Sequence, residues 1–561
     1  MELVIRTAVL DTLQKLGITE TAFTVEHPEN LSFGDYTCNV ALVVAKQEKK
    51  SPQEIAKLLQ TELAGQIEYV EKIEVAGPGF LNFYLARDFF VEEITRVNTL
   101  GEDWGKNKEW EGKKVIVEYT DPNPFKELHI GHLFTNSVGE SLARLFIMSG
   151  ADTKRVNYQG DVGVHVACAL WGMEKLGYAG SYEFTARELG KAYAHGATAY
   201  KDDEEAKAEI TLINKQVYER SDEVVNALYD KGRSVSLSYF ESIYEIIDTQ
   251  FDHYFFESEA APRGKQLVLE NPDIFPESNG ARVFKGEEYK LHTRVFLNSE
   301  GLPTYEAKEL ALAKMKQDAL GVYDHSIIST SNEITEYFKV LLKAMSLIYP
   351  ELASKTEHIG HGTVRLATGK MSSRTGDVIP AVDFIDEIAQ AARVKMEASG
   401  VANPDQTLAR DIAIGAIKYA TLRSNILQDS VFDKEKALSF EGDSGPYLQY
   451  THARISSVLQ KADDVGVEAS IKHVPDIPYQ VEKLLYRFPE VVKEAMSGRG
   501  PHKVVGFLTE LASSFNSFYS QEKIADASDE FAPYKVAVAK AVQQTLKNGL
   551  WVLGIKAPDK M

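Results

Sequence analysis

The chain has 561 residues, 44% hydrophobic and 26% charged, with 82 acidic against 62 basic side chains and a formal net charge of −20. This is ordinary globular composition with room for three or four domains of roughly 150 residues, and its acidity excludes indiscriminate nucleic-acid binding while permitting local basic patches. No apolar run approaches the roughly 20 residues that span a bilayer, the amphipathic opening stretch lacks a signal peptide's apolar core, and Cys38 and Cys168 alone make neither a four-cysteine zinc site nor a disulfide scaffold, so a cytoplasmic protein without membrane association is expected.

Residues 1–110 read as an α+β unit. Helix patterns cover about 2–16 and 51–64, and Ile73–Val75 and Leu81–Leu85 have strand character around the turn Gly77-Pro78-Gly79-Phe80. Val40–Val44 is a short apolar run that periodicity assigns to neither strand nor helix. Ser32-Phe33-Gly34-Asp35-Tyr36 reads as an exposed loop whose aromatic rings, Phe33 and Tyr36, could stack on a nucleotide base or pin the loop to its own domain. Glu102–Lys114 is charged, Gly-punctuated and linker-like.

The stretch that organises the rest is Val115–Gly150. A β-branched run, Val115–Tyr119, suits a buried parallel strand. Asp121-Pro122-Asn123-Pro124 breaks it. Val138, Leu142, Leu145 and Phe146 then fall at helical spacing, with Gly150 as a stop. Between strand and helix stands His129-Ile130-Gly131-His132. On a helix's first turn the two imidazoles share a face, beside unpaired N–H groups and the positive end of the dipole. Gly131 lets a flat group approach the backbone. The arrangement suits a nucleotide's phosphates and base; two surface histidines at a helix start are the bland alternative, which the strand–loop–helix context disfavours.

Arg155–Tyr158 adds a strand, followed by the loop Gln159–Gly163, which completes a right-handed βαβ unit. In such sheets ligands sit at the carboxyl ends of the strands. Residues from about 168 to 290 read as a mostly helical insertion. A second half follows: a helix from Tyr305, a strand at Ser326–Thr330, a helix over about 333–347 and a strand at His358–Thr363. Leu366–Gly376 then sets Lys370, Met371, Ser372, Ser373 and Arg374 between glycines, the makings of a phosphate-clamping loop. Such loops are common linkers; the pairing with H-x-G-H about 240 residues earlier gives it weight. From Asp383 the pattern is nearly all helical. The end, Pro533–Met561, carries Lys535, Lys540, Lys547, Lys556 and Lys560 against Asp559, which is either a basic face for a phosphate backbone or a lysine-dotted surface helix.

These motifs resemble the class I aminoacyl-tRNA synthetases, and among them the arginyl-tRNA synthetase family. His129–His132 matches the HIGH motif and Lys370–Arg374 the KMSKS motif. PNPFKELHIGHL, GPYLQYTHARI, NGLWVLGIKAPDKM and GDYTCNVALVVAK resemble the arginine family specifically, and the likeness runs along essentially the whole chain. The resemblance implies an α/β Rossmann-type catalytic domain (111–380), an N-terminal α+β domain touching the tRNA (1–110), a helical connector (381–436) and a C-terminal all-α anticodon-binding domain (437–561). It implies ATP-driven activation of L-arginine to arginyl-adenylate and transfer to the terminal adenosine of tRNA(Arg), with tRNA bound before activation, Mg2+ with the ATP, no zinc, and a monomer.

By the same likeness His129, His132, Lys126 and Lys370 are catalytic, and Gly131, Met371, Ser372 and Ser373 bind ATP. Ser373 stands where the class has its second lysine; arginine enzymes often place one just before HIGH instead, where Lys126 stands. Glu118, Asn123, Tyr305 and Glu309 are the arginine-binding candidates, Glu309 being one methylene longer than the family's aspartate. Tyr447, Gln449, Arg454, Phe33 and Tyr36 are the tRNA-binding candidates, a structural role for Tyr447 and Gln449 being the alternative. A cysteinyl synthetase would need zinc ligands that two distant cysteines cannot supply. A small adenylyltransferase would not need the long helical C-terminal part. A tRNA-binding relative without catalysis would not need His129, His132, Lys126 and Lys370.

Overall fold

The computed structural model describes residues 1–19, 22–178, 180, 183–367, 379–398 and 404–561. They form two compact units: Met1–Trp104 with Arg454–Pro489 and Glu510–Leu546, and Gly105–Ala453 with Glu490–Thr509 and Lys547–Met561.

The first unit contains an antiparallel sheet of β1 (Val25–Glu26), β2 (Tyr36–Cys38), β3 (Val70–Ala76) and β4 (Phe80–Leu85), in the order β1-β2-β4-β3. Helices α1 (Glu2–Lys15), α2 (Val40–Glu48), α3 (Pro52–Leu63) and α4 (Arg87–Leu100) accompany it. A capping box between Ser51 and Glu54, with Pro52 in the first turn, starts α3, and Ile55, Ala56, Leu59 and Leu63 bury its inner face. The ambiguous Val40–Val44 run is helix. The strand lies just before it, at Tyr36–Cys38, where sequence suggested a loop; pairing of Tyr36 with Phe83 decides the matter, a long-range contact that local pattern does not encode.

Tyr36 is completely buried, its ring 4.4 Å from that of His27 and 6.0 Å from that of Tyr486. The expectation that it stacks on a nucleotide base is therefore corrected: it pins its own domain. Phe33 is 56% exposed. The helical C-terminal segments of this unit pack with the sheet, through Tyr486 in the common core and an ion pair of 2.8 Å between Arg87 and Glu482.

The second unit is built on a five-stranded parallel sheet. Its strands are β5 (Lys114–Glu118), β6 (Asp152–Gln159) and β7 (His253–Phe256), then, after a small antiparallel set β8 (Glu277–Ser278), β9 (Ala281–Phe284) and β10 (Arg294–Leu297), β11 (His325–Ser331) and β12 (Thr356–His361). The order is β12-β11-β5-β6-β7. Val115, Ile116 and Val117 have no exposed surface, as a central parallel strand requires.

Helix α5 (Ile130–Met148) links β5 to β6. Helices α6 (Val164–Lys175), α7 (Ala186–Asp202), α8 (Glu204–Glu219) and α9 (Glu223–Ile246) occupy the connection to β7, and α10 (Glu257–Glu270), α11 (Tyr305–Leu320), α12 (Thr335–Ile348) and α13 (Pro350–Lys355) follow. The span 168–290 is thus not insertion throughout: β7 joins the sheet edge beside β6, four residues too short to stand out from the helical pattern around them.

After the sheet come α14 (Ala381–Ala398) and α15 (Gln406–Leu422), packed with α5 in one apolar core. A short parallel pair, β13 (Val364–Leu366) with β14 (Ser430–Phe432), interrupts the helical run expected there. Gln449, on the helix Gly445–Asp464, is fully buried, and its Nε2 donates to the carbonyls of Asp411 and Lys556 at 3.2 and 3.0 Å. That corrects its assignment to a tRNA-facing surface: it fastens backbone to backbone. Lys535 likewise leaves the expected basic face, being buried against Glu522 and Asp529. Cys38 and Cys168 are both buried and free. Among the described residues no helix is long and apolar enough to cross a membrane.

Candidate active site

Sheet order reverses direction at β5, whose neighbours are β6 on one side and β11 on the other. A crevice opens outside the carboxyl ends of the strands at such a point. Past Glu118 the chain turns through Thr120 (φ 78°) and Asp121 (φ 41°), then Phe125 (φ 68°), three L-residues in left-handed backbone. Such conformations persist only where the surroundings enforce them.

Helix α5 is capped by His129. The N–H of Gly131 donates to Nδ1 of His129 at 3.1 Å, and the N–H of His129 donates to Nδ1 of His132 at 3.1 Å. Both Nδ1 atoms accept, so the proton of each neutral ring sits on Nε2. Burial holds both rings neutral: it pushes His129 down to about 4, with Lys126 adding to the effect, and His132 well below the ordinary value, with His129 and Lys126 adding. The ring centroids lie 3.8 Å apart. A Cβ on Gly131 would stand 2.9 Å from Cε1 of His129. The absent side chain gives room first to the protein's own imidazole.

The cleft has a volume of about 990 Å³. His129, Gly131, His132, Thr135 and His361 line it, and so do the carboxylates of Glu118, Asp121, Glu257, Glu306 and Glu309. Three of these have internal partners: Glu118 with Lys316 at 2.8 Å, Glu257 with Lys308, and Glu306 with Arg294 at 3.5 Å. Asp121 and Glu309 have no ion pair among the described residues. Asp121 Oδ1 accepts from the N–H of Tyr158 at 2.8 Å. Burial and the nearby Glu118 push the Glu309 carboxyl up to about 8, and the same two causes drive Asp121 well above its ordinary value.

The structure brings Glu118, Asn123, Tyr305 and Glu309 into one cleft with His129, Gly131 and His132. It adds a fact sequence did not carry: Glu118 already has a cation. Lys126 does not line the cleft; its ammonium lies 4.2 Å from the ring centre of Tyr193. It is still close enough to depress His129, His132 and His165. Lys370, Met371, Ser372 and Ser373 lie outside the described residues. Both described flanks of that stretch reach the cleft: Val364 and Arg365 line it, and Pro380 forms a bridge with His129.

Sequence reasoning missed Asp121, Glu257, Lys308 and Lys316. The available signal was two lysines, Lys308 and Lys316, set among Leu310, Leu312 and Met315 on α11. Of the remaining tRNA-binding candidates, Tyr447 and Arg454 are half-buried, and the guanidinium of Arg454 donates to Asn516 Oδ1.

Comparison with known proteins supplies independent findings. Residues 93–434 match the family model of the class I tRNA synthetase (R) catalytic domain, 448–561 that of the DALR anticodon binding domain, and 3–85 that of the arginyl tRNA synthetase N terminal domain. The arginine–tRNA ligase of Clostridium perfringens is 31% identical, covering 96% of both chains, and that of Clostridium acetobutylicum is 31% identical over 96% of each. The Thermus thermophilus arginyl-tRNA synthetase superposes over 100% of both chains with a TM-score of 0.81 at 25% identity. A Plasmodium falciparum relative shares the fold, with a TM-score of 0.79 at 21% identity.

Proposed function

The chain belongs to the arginyl-tRNA synthetase family, and from that premise we propose how its cleft carries out the arginine–tRNA ligase reaction. The α-carboxylate of L-arginine attacks the α-phosphorus of ATP and pyrophosphate leaves. A ribose hydroxyl of the terminal adenosine of tRNA(Arg) then attacks the arginyl carbonyl, and AMP leaves.

The observation that carries this reading is the presence, in one cleft, of two neutral imidazoles locked as Nε2–H donors and a carboxyl, Glu309, with no ion pair among the described residues. Nε2–H of His129 and His132 would donate to the α-phosphate oxygens as they gain charge, preorganised by backbone bonds and so free of reorganisation cost. Adenine would lie against Gly131. Lys126 and Lys370 would neutralise the departing pyrophosphate, with Met371, Ser372 and Ser373 against the nucleotide and Mg2+ arriving as the counter-ion of the ATP. Lys126 would swing from Tyr193, since a cation–π contact of about 1 kcal/mol is readily exchanged for a triphosphate.

The guanidinium would sit against Glu309, with Glu118, Asn123 and Tyr305 completing the pocket. A buried carboxylate facing a fixed fork rejects neutral isosteres strongly. Phe33, in a 1–110 domain, and Tyr447 and Arg454, in a 437–561 domain beyond a 381–436 connector, would contact the tRNA. We place the enzyme in the cytoplasm as a monomer; its two free, buried thiols suit a reducing compartment.

The deciding experiment is pyrophosphate exchange into ATP with each of the twenty amino acids. Arginine-dependent exchange seen only with cognate tRNA is expected, and more efficient exchange with another amino acid overturns the specificity. Lys126→Ala should slow activation roughly 10²-fold; an unchanged rate removes Lys126 from the mechanism.

A further inference from the structure

The amino-acid side of the cleft is built on a turn that local sequence does not favour. Thr120 and Asp121 both hold left-handed backbone, and both line the cleft. Strain of this kind is kept only by over-determined surroundings, and those surroundings can be traced.

Tyr119, immediately before the turn, is fully buried, and its hydroxyl donates to Oε2 of Glu140 on α5. Its ring lies on bare helix backbone: a Cβ at Gly139 would stand 2.2 Å from the Tyr119 side chain. Oε1 of Glu140 accepts from Nε of Arg144 at 2.7 Å and from Arg155 at 3.2 Å. Arg144, 4% exposed, donates onward to the carbonyl of Trp551 at 2.9 Å and to the carbonyl and carboxylate of Asp248 at 2.7 and 3.0 Å. A second line runs parallel to this one. Asn136 on α5 donates to Oγ1 of Thr120 at 3.1 Å and accepts from Thr249, next to Asp248, at 3.0 Å.

The far end of the first line is the C-terminal tail, and it is fastened repeatedly. Lys418 donates to the carbonyl of Gly554 at 2.7 Å, Gln449 to that of Lys556 at 3.0 Å, and His452 meets that of Pro558 at 2.9 Å. Met561 packs on the apolar core that contains Leu128 and Ile130.

We propose that Tyr119, Glu140 and Arg144 are positioning residues that hold the strained turn Thr120–Asp121 in its arginine-receiving shape and make that shape depend on the docked C-terminal tail. The proposal rests on the reading of this wall as the arginine pocket. A buried, fully connected polar chain transmits position well because each member has one satisfied geometry and heavy costs elsewhere. The histidine side is built differently, from backbone bonds within the first turn of α5, so breaking the chain should loosen the arginine side and spare the nucleotide side.

The test is tRNA-saturated pyrophosphate exchange with separate KM values for arginine and ATP. Tyr119→Phe removes one hydroxyl and keeps the ring. It should raise the arginine KM about tenfold, the effect of one lost hydrogen bond to a charged group, with the ATP KM changed less than twofold. Arg144→Met should do the same and Arg144→Lys should restore part of the loss. Deleting residues 558–561 should also raise the arginine KM, and adding Tyr119→Phe to the deletion should raise it no further, because both act through one chain. An arginine KM within twofold of wild type in Tyr119→Phe and Arg144→Met overturns the proposal, as does a multiplicative effect in the double variant. Wild-type exchange that ignores arginine overturns the pocket reading and the proposal with it. An arginine-dependent wild type beside unshifted variants overturns the proposal alone.

Discussion

Histidines and carboxylates share this cleft, and both have lost most of their water. The imidazoles of His129 and His132 respond by giving up charge: burial lowers them until they are neutral at physiological pH, and two backbone N–H groups fix which nitrogen keeps the proton. The carboxylates divide. Glu118 and Glu257 each sit against a buried lysine, while Glu309 has no ion pair among the described residues and is pushed up to about 8. A base that loses charge on burial still donates a hydrogen bond. An acid that loses its charge is waiting for a cation.

The largest way to break this contrast is Lys316→Met, which strands Glu118 as a buried, unpaired carboxylate. Loss of about 3–5 kcal/mol of stability in denaturant unfolding is expected, with part recovered on adding Glu118→Gln. Next, His132→Ala should lower the single-turnover rate of adenylate formation by about 10²–10³-fold, the effect of one preorganised donor. A drop below tenfold would mean that the imidazoles only cap α5.

Glu309 sharpens the contrast through pH. Its folded-state value is raised, so the free enzyme holds a proton there below about 8, whereas an arginine cation favours the ionised form. Arginine binding should therefore release a proton near pH 7, visible by calorimetry in buffers of different ionisation enthalpy, and the arginine KM should fall as pH rises from 6 to 8. Glu309→Gln should flatten that slope and weaken arginine about tenfold. The same proton makes this one group stabilising to the fold at low pH, with that contribution lost as pH climbs from 4.5 towards 8. The smallest effect belongs to Phe33→Ala: stability unchanged within about 0.5 kcal/mol, with any loss confined to the KM for tRNA.

The elements legible in the sequence are those whose pattern is local and long. Val115–Tyr119 followed by Val138, Leu142, Leu145 and Phe146 gave β5 and α5, and the H-x-G-H between them was located correctly because a helix cap is a local structure. Short apolar runs were not legible: Val40–Val44 needed the strand pairing of Tyr36, and β7 needed β6 beside it. Exposure was not legible either, which is why Tyr36 and Gln449 were assigned to surfaces they do not reach. The carboxylate wall was half-read. Glu118 and Glu309 were identified, but their ranking depends on Lys316, about 200 residues from Glu118 in the chain, a residue type that ordinarily faces water.

The two thiols have a practical consequence. Cys38 and Cys168 are enclosed in different cores, and burial pushes each up to about 11, so almost no thiolate forms under physiological conditions. Maleimide reagents should leave both thiols of the native enzyme unmodified, and a single cysteine introduced at the surface could carry a fluorophore without first replacing Cys38 and Cys168.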